Sequence, residues 1–217
     1  MNDFKNQKLK ESFHKYVDEL VAAFDDYPWD NKEAYAWWLS QTYYFVRHTT
    51  VLLSLAAAKF GHQSRARHYA TFHHIREEMN HDLMPLDDLK GLGTDISKYP
   101  ELEETSAFYQ SQYYFVQQVH PVALYGYALA LEGLASKKLP ALYERLKKLY
   151  GEKAVKFIKV HGVVDQDHFE QGLEDFKDIT DEEADYVSAN LNQSAHMYLL
   201  MLKRIQFELR KKGNSAA

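Results

Sequence analysis

Leu9, Phe13, Tyr16, Val17, Leu20 and Phe24 recur three or four residues apart, the spacing that gives a helix one apolar face, and predict a first helix over 6–25. The stretch YPWD interrupts it. Asp30 with Glu33 reads as a capping-box pair opening a second helix, 31–60. No acid occurs between Ala34 and Phe60, so this second segment is expected to be buried on most sides. After Gly61 a third helix runs to about Leu89 and ends at the glycine-rich stop GLG. TDISKYPE follows as a loop. A fourth helix covers 103–135, kinked at His120-Pro121 because proline removes a backbone donor. A short fifth covers 139–150 and a sixth 152–176. Thr180 and Glu183 form a capping box for a seventh over 181–211, which gives way to the polar tail 211–217. No segment alternates as a strand does, and no internal repeat is visible. The pattern predicts an all-α, single-domain bundle of about seven helices spanning 1–217.

Composition supports long helices around an aromatic core: 16 Tyr and 12 Phe stand against only 9 Gly and 5 Pro. The formal charge of −5 offers no basic surface for nucleic acid. The longest apolar run, VLLSLAAAKF, is too short to span a membrane, and the polar N-terminus lacks a signal-peptide core. The chain has no cysteine, which removes disulfides, thiolate nucleophiles and iron–sulfur ligation and makes a cytoplasmic protein the expectation.

Several polar residues interrupt otherwise core-forming stretches. HHIREEMNH supplies Glu78 and His81 as an E-x-x-H pair, with Glu77 an alternative to Glu78. LALEG places one acid, Glu132, in an apolar run. HGVVDQDHFEQGLE carries His161, Asp165 and His168, spaced four and three apart and within roughly 60° of one another on a helix. Burying three carboxylates would cost several kcal/mol each, on the order of the penalty for any unpaired buried charge, unless cations neutralise them. Two divalent ions would do so, and the mixed oxygen and nitrogen set suits iron or manganese better than structural zinc. A ferritin-like di-iron bundle requires one further carboxylate from the second helix. That helix has no acid, whereas His161 is surplus to the ferritin-like pattern.

The combined motifs QTYYFVRHTTVLL, HHIREEMNHDLMPLDDLKGLG, LALEG and HGVVDQDHFEQ resemble the heme-oxygenase-like di-iron oxidases, also called iron-containing redox enzymes, over nearly the whole chain. TenA-type and pyrroloquinoline quinone synthase proteins are more distant members of the same fold, and the thiaminase-type nucleophilic cysteine is missing here. The resemblance implies a heme-oxygenase-like bundle in which Glu78, His81, Glu132, His161, Asp165 and His168 hold two iron ions, with manganese possible. It further implies O₂ as co-substrate, a small organic substrate derived from an amino acid or fatty acid, and a homodimer. Arg47, His48, Tyr44 and Tyr125, polar groups on core helices, are candidate substrate contacts. The competing expectation is a helical binding protein of the same fold that uses metal only structurally or not at all.

Overall fold

The computed structural model describes residues 6–164 and 179–215, and the regular structure among them is helical throughout. The helices are α1 (Gln7–Asp25), α2 (Lys32–Val46), α3 (Thr49–Phe60), α4 (Arg65–Glu77), α5 (Leu83–Gly91), α6 (Glu103–Tyr114), α7 (Leu124–Tyr150), α8 (Lys156–Lys159) and α9 (Asp181–Ser215). Two π-helical turns, Phe115–Val119 and Val160–Val164, extend α6 and α8. Among the described residues no helix is long and apolar enough to cross a membrane.

The hydrophobic pattern explains how these helices pack. Leu9, Phe13, Val17, Leu20 and Phe24 are buried along one face of α1, which lies against α7 and α9. Helix α2 is buried continuously from Ala34 to Thr42 and contacts α5, α6 and α9, as its lack of acids predicts. Helix α3 is different: Leu52, Leu53, Ala56 and Ala57 face the core, while Val51 is 48% exposed. A face built of Val, Ser, Ala and Lys is too weakly polar for the pattern to reveal its exposure.

Buried side-chain amides tie helices together, as an interior that excludes water favours. Gln41 Oε1 accepts from the Thr105 hydroxyl at 2.7 Å and from the Leu102 N–H at 3.0 Å, tying α2 to the start of α6. Asn190 Nδ2 donates to Gln112 Oε1 at 2.7 Å, tying α6 to α9.

Three boundaries differ from the pattern. The expected second helix is broken at Arg47-His48. There Arg47 pairs with Glu101 at 3.1 Å and His48 bonds the Tyr113 hydroxyl at 2.8 Å, just before the β-branched run Thr49-Thr50-Val51. The expected third helix is broken after Glu77 by a tight turn in which Asn80 has φ 68°, a left-handed conformation that Asn tolerates better than most residues. The expected fourth helix is interrupted at His120-Pro121, as its proline predicts, but the expected fifth is not separate: it merges with the remainder of the fourth as α7, with Pro140 inside it. The capping box of α9 forms as its spacing predicts: the Glu183 N–H donates to Thr180 Oγ1 at 3.2 Å and the Thr180 N–H to Glu183 Oε2 at 3.0 Å. At α2, in contrast, the cap is Asn31, which accepts from the Glu33 and Ala34 N–H groups, while Asp30 pairs with Arg145.

Candidate metal centre

The break after α4 shapes the first part of the site. Glu78 caps α4, its N–H donating to the His74 carbonyl at 3.0 Å, and the chain then turns so that the His81 N–H reaches back to the Glu78 carbonyl at 3.3 Å. The E-x-x-H pair therefore stands on a turn rather than on a continuous helix, and the turn places His81 against the π-helical segment. The His81 and His161 rings meet edge to face, with centroids 4.8 Å apart. His161 also packs on Phe157, one turn earlier, at 4.3 Å.

The π-helical segment owes its position to two side-chain choices. The carboxylate of Asp88, fully buried on α5, accepts the Lys156 N–H at 2.7 Å and the Phe157 N–H at 2.9 Å, so it caps α8 from a neighbouring helix. Burial pushes the Asp88 pKa up to about 6, against the opposing pull of those two donors. Gly162 then lets the segment lie directly on α7, where a Cβ would stand 2.6 Å from that of Leu139. Asp88→Ala is expected to lower unfolding stability by about 1–3 kcal/mol, because two buried N–H groups lose their acceptor, and to weaken metal uptake at His161. Denaturant unfolding and metal titration of the purified variant measure both effects.

Glu78, His81 and His161 offer one ligand atom each, all within 4.8 Å of one another. Glu78 presents Oε2 to His81 Nδ1 at 3.3 Å and Oε1 to His74 Nε2 at 3.6 Å. His74 Nε2 in turn lies 3.9 Å from Oε1 of Glu132 on α7. These separations exceed ordinary hydrogen bonds of about 2.7–3.2 Å. They match donors sharing an ion: two atoms each about 2.1 Å from one metal lie roughly 3.0–4.2 Å apart. The donors present therefore fit an iron ion. Glu77 pairs with the exposed His73 at 3.0 Å, and it is Glu78 that stands with His81 and His161.

The electrostatics follow from this crowding. Burial alone would raise the Glu78 pKa, but the facing imidazoles of His74 and His81 outweigh it and hold the carboxyl well below the usual range. Burial likewise opposes the charged form of His74, yet Glu78 and Glu132 raise its pKa to about 9.

The cluster forms one end of a cavity of about 130 Å³ bounded by α2, α3 and α7, whose walls include Phe45, Leu53, Leu131 and Leu134. Glu78, Glu132, His74 and His161 line it; Asp165 and His168 lie outside the described residues. Arg47, His48, Tyr44 and Tyr125 are not on the cavity wall. Arg47 is held by Glu101 between the rings of Tyr43 and Tyr44. His48 stacks on Tyr109 with centroids 3.8 Å apart, and the Tyr44 hydroxyl donates to the Tyr99 carbonyl at 3.1 Å. Tyr125 packs beside Phe60 at 6.2 Å. His74 is not among the six ligands that the resemblance implies; its spacings of seven from His81 and four from Glu78 are the signals in the sequence that point to it.

A helical bundle with carboxylates and imidazoles gathered at the end of an apolar cavity defines a class of candidate metalloproteins, and comparison with known proteins places the chain within it. The profile of the iron-containing redox enzyme family matches residues 36–201, and the chain belongs to that family. Two solved structures show the same heme-oxygenase-like fold. One is a domain of unknown function from Shewanella denitrificans with a heme oxygenase-like fold, 21% identical, covering 94% of this chain and 92% of that one at a TM-score of 0.81. The other is a TenA homolog from Pseudomonas syringae pv. tomato, 14% identical, covering 94% and 97% at a TM-score of 0.73. No curated protein sequence matches the chain.

Proposed function

We propose that this protein is a non-heme di-iron oxidase that uses O₂ to oxidise a small organic substrate derived from an amino acid or a fatty acid. The observation that carries the proposal is the Glu78–His81–His161 donor group, continued through His74 to Glu132, at the end of an apolar cavity. Bound iron would supply the electrons for O₂ reduction and the oxidising power directed at the substrate. Glu78, His81, Glu132 and His161 would hold it, with Asp165 and His168 added from outside the described residues.

The remaining tasks belong to the protein. Phe45, Leu53, Leu131 and Leu134 exclude water and favour an apolar part of the substrate beside the donor cluster. Thr42, on the same wall, has a buried hydroxyl with no hydrogen-bond partner among the described residues, so it can orient a polar group of the substrate. The anionic Glu78 and Glu132 leave the cavity end unfavourable for a free anion until cations are bound.

Loading the protein anaerobically with Fe(II) and adding O₂ tests the reading. The expected result is a transient visible absorption, and O₂ uptake that rises when one member of an amino-acid and fatty-acid panel is supplied. A helical binding protein of the same fold would take up no O₂ beyond that of free Fe(II), with or without the panel.

A further inference from the structure

We propose that His74 is itself a metal ligand, an imidazole donor to a second ion that it shares with Glu78 and Glu132; the inference rests on the di-iron reading above. The two oxygens of Glu78 face different nitrogens, Oε1 toward His74 and Oε2 toward His81. A carboxylate that bridges two ions has this arrangement, each oxygen belonging to a different donor set. On one side the set is Glu78, His81 and His161. On the other it is Glu78, Glu132 and His74, contributed by the end of α4 and by α7.

The alternative role for His74 is a cation that merely pairs with two carboxylates. A charge-assisted hydrogen bond of that kind closes to about 2.7–2.9 Å. Its neighbour His73 approaches this limit with Glu77, at 3.0 Å. His74 Nε2 instead stands off from both of its carboxylates, at 3.6 and 3.9 Å, as a donor separated from them by an ion does. The chemistry is equally suited, since an imidazole beside two carboxylates is a donor set for iron, manganese or cobalt in the divalent state. His74 and Glu132 side chains are 31% and 29% exposed, against 13% for Glu78, so this second set is the more accessible to an incoming ion.

Anaerobic titration with Co(II), followed by calorimetry and visible absorption, tests the proposal. Wild-type protein is expected to bind two ions per chain. His74→Ala should retain the first ion and bind the second at least about tenfold more weakly, with the loss of one component of the cobalt spectrum. Free imidazole should restore that component and the affinity in His74→Gly, which a purely structural histidine would not allow. If His74→Ala binds both ions with unchanged affinity and spectrum, the inference is overturned while the di-iron reading stands. Simultaneous loss of both ions that imidazole does not restore overturns it too. A wild-type protein that binds only one ion, or none, overturns both.

Discussion

Glu78→Ala is expected to abolish stoichiometric iron binding, lowering affinity at least about 100-fold for each ion, beyond the 10- to 100-fold typical of losing a supporting group. Glu78 is the point where the two donor sets meet: one oxygen is 3.3 Å from His81 and the other 3.6 Å from His74. Its carboxyl, held far below the normal range by those imidazoles, is fully ionised and ready to ligate at any physiological pH. Glu78→Gln keeps the shape but not the charge and is expected to fail almost as completely, because a neutral amide is a poor bridge between two cations. Thermal unfolding gives an independent measure. A metal at 100 times its dissociation constant stabilises the wild-type fold by about 2.7 kcal/mol, and this metal-dependent increment should vanish in both variants.

Gly162→Ala is expected to damage the site without touching a ligand. The added methyl would stand 2.6 Å from Leu139 Cβ and 2.9 Å from the Leu139 carbonyl carbon, closer than real contacts come. Since Leu139 lies in the middle of α7, the π-helical segment is the part that must move, carrying His161 away from Glu78 and His81. Overpacking of this kind costs about 1–3 kcal/mol. The signature separates it from the Glu78 variants: Gly162→Ala should unfold more easily even without metal, and its iron affinity should fall as well. Equal stability of wild-type and Gly162→Ala proteins, with equal iron binding, would show that the segment does not depend on this close approach.

The candidate site was partly legible in the sequence because its residues are chemically out of place. Glu132 is a lone acid in an apolar run, and His161 opens a spaced polar stripe; both stand where a core face would otherwise need apolar residues. The fold class was legible for a related reason: α1 keeps the three- and four-residue spacing of a one-sided helix, and α2 carries no acid along its continuously buried stretch. What escaped the pattern was local geometry. The E-x-x-H stands on a turn because Asn80 takes a left-handed conformation, and no periodicity predicts that. The π turn at His161 depends on space against Leu139, a contact between residues distant in sequence. The expected break between the fourth and fifth helices does not occur: α7 runs through Pro140, where Gly162 presses on the same turn. His74 is not among the ligands that the resemblance implies, and a histidine one turn before a glutamate is ordinary until a second carboxylate, Glu132, arrives from another helix.

Anomalous diffraction at the iron edge, from crystals loaded anaerobically with Fe(II), tests the central claim most directly. The account predicts two peaks per chain flanking Glu78, one among Glu78, His81 and His161 and the other between Glu78, Glu132 and His74. A single peak, peaks away from Glu78, or no peak at saturating iron would contradict it.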